Sequence, residues 1–183
     1  YEKYNSELNS QKVKLKKLMI ENPVKEKIAL LVGENIGDPL TKEEEEETIK
    51  NGDLRLPNCV PPGYVDYKVK SKRPGLDKYG DYIIWQQILK ESRVKDKPLI
   101  FVTFDQKEDW FKIISFNNSK VLVGPRPELI EEFSESCTKS IWFYTTTDFI
   151  DYAINHFKLT IEPSKLTKLK EETIAILGDE NGI

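Results

Sequence analysis

Lys78-Tyr79-Gly80-Asp81-Tyr82-Ile83-Ile84-Trp85 and, one short helix later, Leu99-Ile100-Phe101-Val102-Thr103-Phe104-Asp105-Gln106-Lys107-Glu108-Asp109-Trp110 decide how this chain is read. The first segment reads as the start of a helix that opens on an aspartate and runs from about Asp81 to Ser92. Its Ile84, Trp85, Ile88 and Leu89 recur at helical spacing and are expected to face inward. The second segment holds a continuous apolar run, Leu99 to Thr103, as expected of a central parallel strand. It ends on Asp105. Two carboxylates delivered from a helix start and a strand end can meet at one point. Many folds hold Mg²⁺ or Mn²⁺ over a phosphodiester in this way.

Downstream, Ile113 to Phe116 and Lys120 to Val123 are short strand candidates around Asn117-Asn118. Pro127 suits the first turn of a helix reaching Ser136, with Leu129, Ile130 and Phe133 buried. Ile141 to Thr145 reads as another strand. Phe149, Ile150, Ala153, Ile154 and Phe157 form the stripe of the helix after it. Helix, strand, helix, strand, helix over 81–157 predicts an α/β fold with a mostly parallel sheet. Residues 158–183 are polar, with weak helical spacing from Leu166 to Leu177, and read as an extension or linker beyond a domain of residues 1–157.

Upstream, residues 1–20 pattern as an amphipathic helix. Val24 to Val32 follows Pro23 and offers Ile28, Leu31 and Val32 as a buried face. Thr41-x-x-Glu44 is a capping box, and the run Glu43–Glu47 suits a helix N-terminus, so a third helix is expected from Thr41 to a stop at Asn51-Gly52. Residues 53–79 show no clear period and carry many prolines and glycines; they predict a long loop, and a long loop in a compact domain is usually functional. The loop is locally basic, with Arg55, Lys68, Lys70, Lys72, Arg73 and Lys78, and Tyr64, Tyr67 and Tyr79 are interleaved. Basic residues hold phosphates and aromatic rings stack on bases, so this is a candidate nucleic-acid surface. The bland alternative is a solvated loop.

The bulk numbers narrow the chemistry. The chain has 183 residues, 32% charged and 38% hydrophobic, with a net charge of −3. That is one domain with a core, and bulk electrostatics do not favour nucleic acid, so any contact must be a local patch. Cys59 and Cys137 have no metal-ligand spacing, and two cysteines argue against a disulfide framework and suggest a reducing, cytoplasmic setting. The one histidine, His156, lies on the polar side of its helix, which argues against a zinc site or a Ser-His-Asp triad. No secretory signal or membrane span is visible. Catalysis, if present, would rest on carboxylates.

The acidic constellation is Asp81, Asp105, Glu108 and Asp109. Ligands collect beyond the carboxyl ends of strands in an open α/β sheet, where Asp105 lies. Clustered carboxylates are costly unless a cation neutralises them. Each member also has a plain reading. Asp81 and Asp105 could cap their own turns, and Glu108 and Asp109 could be solvated charges beside Lys107. Asp66, after Pro61-Pro62-Gly63-Tyr64, reads more simply as a turn residue than as a ligand. Trp85 and Trp110 read as core.

Four motifs together go further. Pro61-Pro62-Gly63-Tyr64-Val65-Asp66, Tyr79-Gly80-Asp81-Tyr82-Ile83-Ile84-Trp85, Phe101-Val102-Thr103-Phe104-Asp105-Gln106-Lys107-Glu108-Asp109-Trp110 and Gly124-Pro125-Arg126-Pro127-Glu128-Leu129 resemble, in this order, one branch of the PIN-like domains. The resemblance implies a three-layer α/β/α fold around a central, mostly parallel sheet, and metal-dependent cleavage of phosphodiesters, usually in RNA, with DNA possible. It implies Mg²⁺ or Mn²⁺ held by Asp81 and Asp105, with Asp109 and then Glu108 beside them and Asp66 contributing from the loop. Thr103 would orient a carboxylate or water, and Arg126 would anchor the Gly-Pro-Arg-Pro-Glu turn. It suggests a bacterial protein, and a further domain or protein partner. Phe104 departs from the pattern, standing where this branch often has a polar residue. A strand ending in Asp-Thr-Asn and an acidic early helix, which the resemblance also implies, are not found in the sequence, so the chain is expected to be a piece whose first strand and early helices lie upstream of Tyr1. A scaffold that has lost part of its acid set and binds RNA or protein is the rival reading. A phosphatase or receiver-like domain is a weaker one, since no Asp-x-Asp is seen.

Overall fold

The computed structural model describes residues 7, 11–13, 22–34, 36–117, 119–168 and 171. Most of the helix expected over 1–20 and most of that expected over 166–177 lie outside the described residues; residues 7, 11–13 and 163–168 are helical. The chain divides into two compact units, Tyr1–Pro39 and Leu40–Ile183. In the first, helix α1 covers Pro23–Val32. Asn22 caps it, its side chain accepting the Lys25 N–H, and proline occupies the first turn, where no amide is needed. Ile28 and Leu31, expected on a buried face, are exposed.

The second unit carries the sheet and the site. Helix α2 covers Lys42–Arg55. Its capping box is complete: the Thr41 hydroxyl accepts the Glu44 N–H and the Glu44 carboxylate accepts the Thr41 N–H. The helix does not stop at Asn51-Gly52. Gly52 is buried, and a Cβ there would lie 2.8 Å from the Tyr79 ring. The glycine serves close packing, not termination. The expected loop over 53–79 is also partly folded: α3 covers Tyr64–Lys70, and a 3₁₀ turn covers Asp77–Tyr79. Seven residues are too few for a helical period to be legible among prolines. Helix α4 follows at once, Gly80–Lys95, and ends with Asp96 in the left-handed region.

Strands β1 (Leu99–Thr103) and β4 (Ile141–Thr145) pair in parallel, Leu99 opposite Ile141 and Thr103 opposite Thr145. Between them in the chain, β2 (Phe111–Phe116) and β3 (Ser119–Pro125) form a separate antiparallel ribbon. Asn117 turns it with φ 49°. Helix α5 (Pro127–Ser136) returns the chain to β4, and α6 (Thr146–Phe157) leaves it. Thr145 caps α6, accepting the Asp148 N–H.

One face of the parallel pair meets an aromatic core. Phe101 stacks on Trp110 with ring centroids 4.9 Å apart, and Phe143 touches the rings of Trp85, Phe101 and Phe111. Trp85 of α4, Leu129 and Phe133 of α5, and Trp110 are fully buried. Each buried aromatic ring removes roughly 150–250 Å² from water and contributes on the order of 4–6 kcal/mol before entropy is counted. On the other face Tyr144 packs against Phe149 and Tyr152 of α6. Helices therefore lie on both sides of the sheet, giving the α/β arrangement expected. The second face is only partly covered: Ile100 and Trp142 remain about half exposed (50% and 48%), so β1 is not the doubly buried strand its composition suggests.

A part-buried ion pair ties the helices together. Arg55 at the end of α2 forms a two-pronged pair with Glu132 of α5, at 2.8 and 2.9 Å. Its guanidinium also bonds the Pro61 carbonyl and lies 4.6 Å from the centre of the Tyr82 ring. The Trp85 indole N–H donates to the same Glu132, at 2.8 Å. Arg55, which the sequence places in the basic loop, is thus a structural residue.

Candidate active site

Three segments meet just beyond the carboxyl end of β1. The first is the turn after the strand. Thr103 Oγ1 accepts the Asp105 N–H and Asp105 Oδ1 accepts the Lys107 N–H, each at 3.0 Å. Thr103 thus bonds the backbone of Asp105, not its carboxylate. The second is the first turn of α4, which carries Asp81. The third is α3, which carries Asp66. Asp109 stands beside them, at the close of the turn after β1.

Asp109 sets the position of α3. It is fully buried, and its Oδ2 accepts the N–H groups of Gly63 and Val65, both at 3.0 Å. These are amides at the start of α3 that no helical carbonyl can satisfy. Gly63 has φ 95°, a conformation side chains rarely adopt, and a Cβ there would stand 3.3 Å from the Asp81 Cβ. The Pro-Pro-Gly-Tyr turn therefore fits against the start of α4 because position 63 is glycine. Among the described residues, Asp109 Oδ1 has no hydrogen-bond partner.

The outcome is a convergence on one ammonium. Lys107 Nζ lies 2.7 Å from Asp105 Oδ2, 2.7 Å from Asp66 Oδ1 and 3.5 Å from Asp81 Oδ2. Lys70 pairs with the other oxygen of Asp66. Three carboxylates face two ammonium groups, so the cluster retains a negative charge. Burial pushes the Asp81 carboxyl above the usual range; Lys107 opposes the shift, and Asp105, Asp66 and Asp109 reinforce it. Burial also raises Asp109, against the N–H bond from Val65 and the charge of Lys107. For Asp66 burial acts upward, but the hydrogen bonds from Lys107 and Lys70 outweigh it and hold the carboxyl below its ordinary value. Lys107 itself is pushed up: burial opposes its charge, and the bonds to Asp105 and Asp66 more than compensate.

Asp81 and Asp105, which the sequence singles out, are thus brought together, and Asp66 joins them as a full member. Asp109 is adjacent, with one oxygen committed to backbone amides. The Glu108 side chain is exposed and exerts its field on Tyr64 and Arg126. Arg126 pairs with Glu128 and its N–H donates to the Trp110 carbonyl, as an anchor of its turn would. Lys107 is the residue that sequence reasoning passed over. Its signal was the two-residue step from Asp105, which a tight turn folds back on itself.

The basic segment is distributed around α3. Lys68, Lys72 and Arg73 are exposed, Lys68 lying over the Tyr64 ring, whereas Lys70 is committed to Asp66. Tyr64 is buried in the core, so the base-stacking role expected for it is not open to it. Burial pushes its hydroxyl up to about 12. Tyr67 is partly buried and its hydroxyl donates to Asp53, as does that of Tyr79.

The family model described as a PIN like domain matches residues 1–129. The chain belongs to the PIN-like domain family. No curated protein and no solved structure matches it. PIN-like domains are commonly nucleases, typically bind nucleic acid and generally use divalent metals. In this PIN-like domain the donor chemistry suits such an ion, since Asp66, Asp81 and Asp105 are hard oxygen ligands from separate segments. The spacing is that of an ammonium: the oxygens stand 2.7–3.5 Å from the central nitrogen, against about 2.1 Å for Mg²⁺. Accordingly, among the described residues no three acidic, histidine or cysteine side chains are grouped as a ready metal site. A groove of about 450 Å³ between α2 and α4 is lined by Glu44, Asn51, Gln86 and Lys90 and includes none of these aspartates. Among the described residues no helix is long and apolar enough to cross a membrane.

Proposed function

We propose that this chain is the nuclease domain of a divalent-metal-dependent ribonuclease, with Asp66, Asp81 and Asp105 as the metal-holding carboxylates. One observation carries the reading: three aspartates from three segments of a PIN-like fold approach the same point within 3.5 Å. A bound Mg²⁺ or Mn²⁺ would supply an activated water and stabilise charge on the leaving oxygen.

The chain's own residues do the rest. Thr103 holds the Asp105 backbone so that the carboxylate faces the cluster. Asp109, through Gly63 and Val65, fixes the helix that presents Asp66. Lys68, Lys72 and Arg73, exposed on and after that helix, supply positive charge for the phosphate backbone beside the acids. A single-stranded substrate fits best, because a local patch in a chain of net charge −3 cannot hold a long duplex by charge alone.

The test is cleavage of a labelled single-stranded RNA by the full chain in MnCl₂. Asp81→Asn and Asp105→Asn should each abolish it while leaving the melting temperature near that of the parent. Cleavage of single-stranded DNA alone would reassign the substrate. A second reading, a non-cutting module that binds RNA or protein, is favoured by Lys107 already filling the centre of the cluster. RNA binding without Mn²⁺-dependent cleavage would establish it.

A further inference from the structure

Lys107 lies among acids, yet of these only Asp105 holds its backbone. Its carbonyl accepts the N–H groups of Trp110 and Phe111, both at 3.0 Å, and its own N–H donates to Asp105 Oδ1. Four-residue turn bonds therefore hold the main chain at this point. The side chain is 30% exposed, so the ammonium has a path from the cluster to solvent. The turn can keep its shape whether the ammonium points in or out.

The three carboxylates behave differently. Each is fixed to a separate element, and with the ammonium gone they would face one another across a partly buried space. Such a cluster requires a positive charge at its centre. Asp109 adds to the demand: it is fully buried, its charge is felt by Asp81, and its Oδ1 is unpartnered among the described residues. Two cations thus have claims on one position, the tethered ammonium and a free divalent ion.

We propose that Lys107 is an exchangeable internal counter-ion: its ammonium holds Asp66, Asp81 and Asp105 together before metal binds, and a divalent cation takes its place on the same carboxylates. The inference rests on the metal-dependent reading above and adds a competition to it. Apparent metal affinity is lowered by the fraction of molecules in which the ammonium occupies the centre. The displaced ammonium, still on the turn after β1, then faces outward beside the site, where it can meet the phosphate of the substrate. No bond forms or breaks in the exchange.

Calorimetric titration of the full chain with MnCl₂, without substrate, tests this. Lys107→Met should bind Mn²⁺ about ten-fold tighter than the parent or more, because the competitor is gone. Lys107→Arg, which keeps the charge, should bind no tighter than the parent. Metal-free Lys107→Met should also melt below the parent, and saturating Mn²⁺ should raise its melting temperature by more. If Lys107→Met does not fold, Lys107→Gln gives the same reading with a polar, uncharged side chain. Binding by the parent with no gain in the uncharged variant overturns the exchange and leaves the metal site standing. No binding by any of these proteins overturns both.

Discussion

Lys107 and Asp66 are separated by 41 positions in the chain, and their side chains meet at 2.7 Å. That contact joins the turn after β1 to the short helix α3. Through Asp81 and Asp105 the same ammonium also reaches the start of α4 and its own turn. The site is a junction of segments far apart in the chain.

Asp109 carries the start of α3. Asp109→Ala leaves the buried amides of Gly63 and Val65 without an acceptor and should cost about 2–4 kcal/mol in urea denaturation. Asp109→Asn keeps one carbonyl oxygen for those amides and should lose about 1 kcal/mol or less. Equal losses for the two substitutions would mean that the hydrogen bonds are not what Asp109 contributes.

Two glycines in neighbouring motifs should respond oppositely. Gly63→Ala forces a side chain into φ 95° and places a Cβ 3.3 Å from that of Asp81. A cost of about 1–2 kcal/mol is expected, together with weaker Mn²⁺ binding as Asp81 shifts. At Gly80 a Cβ meets nothing within 4 Å and φ is −49°. Gly80→Ala should be neutral or stabilise by up to about 1 kcal/mol, since alanine is the better helix former. Urea midpoints of the two variants measure this.

Glu132 serves both Arg55 and Trp85. Glu132→Ala leaves the Arg55 guanidinium, 16% exposed, without its carboxylate and should destabilise by roughly 2–3 kcal/mol, less than a fully buried pair because water reaches it. The Trp85 fluorescence should change in the folded state, since its N–H loses the acceptor. Glu132→Gln should preserve that emission better than Glu132→Ala. Unchanged emission in both would contradict the assigned bond.

Asp66 gives a pH signature with a definite sign. Its carboxyl is held below the ordinary value in the folded chain by Lys107 and Lys70, against burial. Its charge therefore stabilises the fold above the unfolded value of about 4, and that stability is lost as pH falls through the lowered folded value. Asp66→Asn should be less stable than the parent at pH 7, and the gap should close below about pH 4. Melting temperatures of both proteins across the acid range decide it; a gap of constant size would contradict the assignment.

Much of this was legible in the sequence because the decisive signals are local. The Thr41 capping box, the β1 run, Pro127 opening α5 and the helix of α6 each depend on neighbours within a few residues, and each element forms where expected, although Ile100 of β1 and Phe157 of the α6 stripe stay exposed. Asp81 and Asp105 could be placed because a helix start and a strand end are positions that sequence marks. Four features were not legible. Gly52 reads as a stop because its contacts, the rings of Tyr79 and Tyr82, come from 27 and 30 residues further on. Helix α3 is too short to show a period, and this hid the place of Asp66 in the cluster. Tyr64 has the composition of a stacking platform but is drawn into the core beside the Pro-Pro-Gly turn. Lys107 reads as a surface charge, since only the fold brings Asp66 and Asp81 to it.

The most direct measurement is a crystal structure of the full chain soaked in MnCl₂, with anomalous scattering recorded for manganese. The account predicts a peak between Asp66, Asp81 and Asp105, about 2.2 Å from their oxygens, with the Lys107 ammonium moved away. A map with Lys107 still paired to Asp66 and Asp105, and no manganese among the three aspartates at saturating metal, would contradict it.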